Sequence, residues 1–455
     1  MKKLLKTSSM AKVTIATVLT VCAANSFAIN GVFDYGLGQI NRGMGGAGVA
    51  KPQDAYAAVI NPAGLGAINH NWDAGVAAYF PMMYSKWGVG ASAFPFSPLA
   101  APAGKYESEQ RIFILPDAAY VYHYNRKNHF GLSLNAVGGF GSRYTTDKHA
   151  TVFGAPVPRR GVLGDGTIIA SLQIASLNAS YNYWIMPNLS FGLTLSYYIQ
   201  AFKSAGSQGL APFTETFLTT GAAPTKLSNN GTDYNHGVSG TLGGLYRFNK
   251  HFAIGASGTP RVYMTKMHEY KDLLVNHGEL DIPAKYTVGV NISPTDKLDF
   301  VVDLVKIMNK DIDIYGNNSR ALFDGRCAPG SPIANPVSCI GGKNGPGFGW
   351  SNQTLLKVGG SYKLNPKDTV RLGVSYGNRI GHAGDIIINT FAPGSAAKWV
   401  TSAGYSRRMS WYTLNTFLTF IPNQSLSGVN ELSVGAAQTL KLKVGGVGFG
   451  VGMSV

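Results

Sequence analysis

From about Trp72 to Val455 the chain repeats one pattern: apolar and polar residues alternate for about eight to twelve positions, then turn chemistry follows. A period of two places one set of side chains on each face of a strand. In Asn188–Phe202, Leu189, Phe191, Leu193, Leu195, Tyr197 and Ile199 share a face opposite Ser190, Gly192, Thr194 and Ser196. Lys285–Ile292 and Val370–Tyr376 alternate in the same way. A water-soluble sandwich has this period too, and the connections separate the two cases. Short polar links at Asn125–Asn128, Met186–Asn188, Asn249–Lys250, Pro294–Lys297, Asn365–Asp368 and Arg407–Ser410 alternate with long irregular stretches near 85–110, 142–166, 203–235, 269–283, 310–352, 378–396 and 422–433. Short turns on one side and long loops on the other are the asymmetry of an outer-membrane barrel. Counting strands around the six links, with one before the first long loop and one after the last, predicts an all-β, 14-stranded antiparallel transmembrane barrel.

Composition agrees. Gly occurs 57 times and charged residues make up 14%, as expected for strands with an apolar face and few solvated surfaces. Beyond residue 28 no long apolar run recurs, which excludes a helical membrane protein. The first residues predict export. Lys2, Lys3, Lys6 and Lys12 precede an apolar run from Val13 to Ala24, and Ser26-Phe27-Ala28 offers small residues for a signal peptidase. Cleavage is expected after Ala28; Leu19-Thr20-Val21-Cys22 is a weaker, lipobox-like alternative in which Val21 is too bulky. The expected layout is a signal peptide over 1–28, an N-terminal extension over 29–70 and a barrel over 71–455.

The net charge is +16, and loss of the four leader lysines leaves +12. A basic surplus fits nucleic acid, but an exported chain meets lipopolysaccharide or a carboxylate ligand instead. Basic residues scattered over solvated loops explain most of the surplus. Cys327 and Cys339 remain after cleavage, in a Gly/Pro/Asn-rich stretch of an oxidising compartment. With no His or further Cys nearby for zinc, they are expected to form a local disulfide.

Two strands carry irregularities. The last places Val447, Phe449, Val451, Met453 and Val455 on one face, the alternating end that barrel assembly machinery reads, though Val455 stands where an aromatic is usual. In the other, Ile168, Ala170, Leu172 and Ile174 set one parity and Leu177, Ala179, Tyr181 and Tyr183 the opposite. Such a change predicts either a bulge or a wall whose upper part stands clear of lipid.

Gly43–Gly66 is rich in Gly and Ala. Pro52 and the Ala-rich stretch to Ile60 predict a short helix, and Asn61 is placed to cap a further turn that begins at Pro62. So short a helix is marginal alone in water; the lumen of a wide barrel would hold it. This segment resembles the hatch of the FadL/TodX family of outer-membrane transporters for long-chain fatty acids and other hydrophobic compounds. The hatch motif of that family, Asn-Pro-Ala, is matched by Asn61, Pro62 and Ala63. The resemblance covers the chain after residue 28 and implies a plugged barrel that takes ligand from outside and releases it sideways into the membrane. It implies an inward kink in the third strand, opening a hole in the wall. The matching stretch, His129–Tyr144, contains Gly138 and Gly139, which let a strand bend and leave no side chain in a gap. Glycines that merely ease barrel curvature are the plainer account. The resemblance also makes Phe33 a ligand-binding candidate, because family members insert this end into the pocket.

Other motifs lack their context. Gly43-x-Gly45-x-x-Gly48 has no preceding buried strand, and Gly373-Val374-Ser375-Tyr376-Gly377 lies on a strand without a following helix. The nine histidines show no metal spacing. Asp299 and Asp303 share the polar face of the ninth strand and are expected to face the lumen as solvated charges. No catalytic site, metal or cofactor is expected. The leading function is passive uptake of a long-chain fatty acid or other hydrophobic small molecule. Alternatives are an aromatic hydrocarbon channel, a structural or adhesive barrel, and an outer-membrane lipolytic enzyme that lacks a coherent nucleophile.

Overall fold

The protein is described by a computed structural model over residues 29–88, 103–145, 167–430 and 438–455, with short backbone pieces between 150 and 165. The expected leader and Cys22 lie outside the described residues. Fourteen antiparallel strands pair in chain order. They are β1 (Trp72–Trp87), β2 (Phe113–His123), β3 (Asn128–Tyr144), β4 (Ile168–Met186), β5 (Leu189–Ala205), β6 (Asp233–Arg247) and β7 (Phe252–Thr259). The second half runs β8 (Lys285–Ile292), β9 (Leu298–Ile307), β10 (Gln353–Lys363), β11 (Asp368–Gly377), β12 (Trp399–Arg408), β13 (Thr413–Asn430) and β14 (Gln438–Ser454). β14 pairs with β1 from Asp73↔Ser454 to Trp87↔Leu440, so the sheet closes on itself.

The faces are inverted relative to a sheet in water. Along β5, Ser190, Thr194 and Ser196 are buried inside while Phe191, Leu193, Leu195 and Tyr197 are exposed outside. Tyr286 and Val288 on β8 and Leu372 on β11 also face out. Near the short turns, Trp72 meets Tyr120 with ring centroids 4.5 Å apart and Phe130 meets Tyr181 at 5.2 Å, an aromatic girdle at the level of a membrane interface. No helix among the described residues is long and apolar enough to cross a membrane. A closed barrel with an apolar exterior pairs its backbone groups between strands, and the chain crosses an outer membrane by these strands.

Three local expectations change. β4 contains no bulge at the parity change, because burial alternates without a break from Ile168 to Trp184; its register with β5 shifts only at Ile185, beside the turn. Its inward face instead changes chemistry, polar at Ser176, Asn178, Ser180 and Asn182 and apolar at Ile168, Ala170, Leu172 and Ile174. The bulge lies on its neighbour β3, where the register shifts between Ala136 and Gly138. β13 continues to Asn430 through most of the stretch expected as a loop, with a register shift between Ile421 and Gln424 where Pro422 lies. The helix expected from Pro52 is shorter, Ala57–Ile60, and another turn, Gly38–Gly43, precedes it. Glycine at both ends gave that turn no helical signal.

Candidate functional site

The segment 29–70 lies inside the barrel and reaches every strand. Its backbone does much of the reaching. Ala55 N–H donates to Asp73 on β1 (2.7 Å), and Gly48 and Val49 N–H donate to Asp303 on β9 (2.7 and 3.0 Å). Ser180 on β4 donates to Ala58 O (3.1 Å), as does Thr194 on β5, and Ser257 on β7 donates to Ile60 O (2.8 Å). Gly45 N–H donates to Ser402 on β12 (2.9 Å), Lys357 on β10 donates to Tyr35 O (2.7 Å), and Gln39 donates to Val451 O on β14 (3.4 Å). Tyr35 bonds Thr419 on β13, Met44 lies on Gly373 of β11, and Phe33 meets β3 and β8 as described below.

Asn61, Pro62 and Ala63 sit against β4, β5 and β6. The Asn61 side chain accepts from Ala63 N–H (3.2 Å) and donates to Val49 O (2.8 Å) and Gly244 O (3.1 Å). Ala63 O in turn accepts from Asn182 (2.9 Å) and Ser190 (2.7 Å). Pro62 opens the 3₁₀ turn Pro62–Ala67.

Arg42 pins the opposite side. Fully buried, it pairs with Asp34 (3.1 Å) and with Asp117 on β2 (2.7 Å), and Tyr56 hydroxyl donates to the same Asp117 (2.5 Å). Burial pushes the Asp34 carboxyl above its ordinary range, against the pull of Arg42. Burial also lowers Lys51, although Lys51 pairs with Asp299 at 2.6 Å. Breaking such a buried pair from one side typically costs about 3–5 kcal/mol. Asp299 and Asp303 therefore hold the segment and are not free lumen charges.

The segment lies flat because inward-facing wall positions carry glycine. A Cβ at Gly192 would meet the Pro62 backbone at 2.2 Å, at Gly243 the Asn61 side chain at 2.1 Å, and at Gly255 the Val49 backbone at 2.4 Å. Directly paired across strands are Gly192 with Gly243, Gly255 with Gly289, and Gly359 with Gly373. The two glycine motifs set aside above meet here: Gly45 lies on Val374, Gly373 on Met44 and Gly45, and Gly43 on Gly404.

The wall is interrupted between β2 and β3. Their register ends at Asp117↔Asn135 and a backbone bond reappears only from Glu109 N–H to Arg143 O (2.7 Å). Pro116, which has no N–H to give a ladder, sits at the lower end of this interval. Across it β3 bends, with Gly138 at φ +154° and Gly139 at φ +140°, and Val137 is left over in the register with β4. These glycines do not border empty space. Gly138 pairs with Phe33, Asp34 N–H donates to Val137 O (3.1 Å), and a Cβ on Gly138 would lie 2.1 Å from Val32 O. Residues 32–34 thus run along the interruption on the lumen side.

Phe33 lines one of two chambers and shares a buried cluster with the wall of the other. Toward the long loops an apolar chamber is lined by Phe140, Phe202, Leu274, Leu280, Ile340 and Phe391 among others. Below it a mixed cavity lies between residues 33–37, the bent part of β3, and Lys285, Thr287, Asp303 and Lys357 on the far wall. The Lys285 ammonium lies over the Phe33 ring, 4.9 Å from its centroid. Phe33 packs with Val32, Phe140 and Leu172 in one buried cluster. Phe33, Gly138 and Gly139 are thus brought together, whereas Asn61–Ala63 lies apart toward the short turns. Cys327 and Cys339 are bonded in an outer loop beside the apolar chamber. Sequence reasoning missed Arg42, Lys285 and Ile340; Pro116 within a strand was an available signal of the interruption. Among the described residues no group of three His, Cys, Asp or Glu could hold a metal ion.

Solved structures share this architecture. The Pseudomonas putida toluene transporter TodX matches with a TM-score of 0.63 at 14% identity, over 92% of this chain and 99% of that one. A Pseudomonas aeruginosa FadL homologue gives 0.63 at 16% identity, over 93% and 99%. The Ralstonia pickettii toluene transporter TbuX gives 0.52 at 15%, over 91% and 98%. At these identities the likeness is one of fold. No family model and no curated protein matches the chain.

Proposed function

We propose that the protein is a passive outer-membrane transporter that takes up hydrophobic molecules, long-chain fatty acids foremost, and releases them sideways through the wall between β2 and β3. The observation that carries this reading is adjacency: the apolar chamber beneath the outer loops is lined by Phe140 of β3, which shares one buried cluster with Phe33 beside the interrupted ladder. Such a molecule keeps its apolar area out of water along that route, whereas a central exit would force it into the periplasm. The segment 29–70 serves as the hatch that closes the central route. No enzymatic step is part of this reading, and lipopolysaccharide and membrane lipid are the surroundings, not the cargo.

Lys285 favours an acid. Its ammonium faces the lower cavity over the Phe33 ring, and a carboxylate head would give it a charged partner. An aromatic hydrocarbon is the second reading, favoured by the almost wholly apolar lining of the upper chamber and by the named substrate of the toluene transporters. Uptake of labelled oleate and labelled toluene in a deletion strain, restored with either the natural gene or Lys285→Met, tests both. A lost charge-assisted bond of about 1.5–3 kcal/mol predicts that Lys285→Met slows oleate at least about tenfold and leaves toluene alone. If restoring the gene raises uptake of neither compound, the transport reading fails.

A further inference from the structure

The disulfide does more than staple a surface loop. Immediately after Cys339, Ile340 forms a parallel bridge with Thr214: Ile340 N–H donates to Phe213 O (3.1 Å) and Glu215 N–H donates to Ile340 O (2.9 Å). The next two carbonyls reach a third loop. His277 N–H donates to Gly341 O (3.0 Å) and Asn276 N–H to Gly342 O (2.8 Å). The crosslinked loop therefore ties the stretches around 213–215 and 276–277 to one another. All three contribute to the apolar chamber, through Leu210, through Leu273, Leu274 and Leu280, and through Ile340 itself.

The middle loop is under strain at the point where it is held. Asn276 (φ 50°, ψ 41°) and His277 (φ 58°, ψ 46°) are both left-handed, a conformation that side-chain-bearing residues adopt at a cost and keep only when neighbours enforce it. The enforcing contacts include the bonds to Gly341 and Gly342, two and three residues beyond Cys339. Leu274 and Leu280 stand on either side of this pair, so the crosslink acts on the chamber lining through it.

We infer that the Cys327–Cys339 loop is the roof of the ligand chamber and that Ile340 sets the size of molecule the chamber admits. This rests on the chamber being the ligand site. Ile340 is 4% exposed and points into the chamber lining, whereas Val337, on the same crosslinked loop, is 42% exposed and outside it. Enlarging the first should fill the chamber; enlarging the second should not.

The probe is 11-(dansylamino)undecanoic acid, titrated by fluorescence against full-length protein held in amphipol, with heat-modifiability confirming a folded barrel. Ile340→Trp is expected to weaken binding about tenfold or more, and Val337→Trp to leave it unchanged. Reducing the natural protein with dithiothreitol is expected to speed amide exchange of Asn276 and His277 and to weaken binding as well. Wild-type affinity in folded Ile340→Trp overturns the assignment of Ile340. Unchanged exchange at 276–277 after reduction overturns the roof, even if the tryptophan variant fails to assemble. A natural protein that does not bind the probe at all refutes the chamber as a ligand site, a result distinct from either.

Discussion

At the scale of single residues, the interior departs from what alternation announces. A polar inward face predicts solvated side chains, yet Asp73, Asp117 and Asp303 are spent on the segment inside. Asp54 shows the consequence. Burial, then the nearby Asp73 and Asp117, raise its carboxyl well above the ordinary value, opposed by the Tyr56 N–H bond and Arg371. An acid whose folded pKa is raised binds its proton more tightly folded than unfolded. Stability is then highest at low pH and falls as pH rises from the ordinary carboxylate value through the raised one. Asp54→Asn should therefore raise the melting temperature at a pH well above the ordinary carboxylate range and flatten its fall as pH rises; an unchanged pH profile would remove Asp54 from the account. None of this was visible in sequence, because Asp54 and Arg42 sit in a glycine-rich stretch whose partners come from strands far along the chain.

At the scale of elements, strands were legible and their interruptions only partly so. Side-chain alternation reports which face meets lipid, and that is a local property of the chain. Where β2 parts from β3 depends on two strands at once; Pro116 and Gly138 each mark it, but only their pairing shows the interval. The parity change in β4 left two readings open for a related reason: an apolar inward face at Leu172 and Ile174 looks like a slipped register unless the lumen above is known to be apolar. Gly138→Trp, whose Cβ alone would press on Val32 O, should displace residues 32–34 at the interruption and reduce oleate uptake several-fold while the barrel stays heat-modifiable and leakage of a small water-soluble solute does not change. Oleate uptake at the natural rate in that variant would point to a central exit. The Asn61-Pro62-Ala63 turn was legible as a cap, whereas the glycines that receive it on β5 and β6 were seen only as composition.

At the scale of the whole molecule, the barrel's interior is filled from its own N-terminus. Deleting residues 29–70 removes hydrogen-bonding partners from walls all round the lumen and leaves the glycine positions facing water. The expected outcome is a folded barrel that conducts ions across a planar bilayer, with stepwise conductance absent from the intact protein. A deletion variant as silent as the parent would show that the outer loops, and not the hatch, seal the pore.

The contact of residues 29–70 with every strand also has a bearing on how the molecule comes into being. The segment precedes all fourteen strands in the chain, and β14 zips to β1 only when the last residues arrive. Entering after closure, so widely bonded a segment would have to make its contacts with all fourteen strands inside a finished barrel. The simpler course is for the earliest part of the chain to wait at the nascent sheet while each new hairpin curls around a guest already present. On this view the paired glycines of β5 with β6, β7 with β8 and β10 with β11 are berths prepared in advance, and the order of birth is written into the wall.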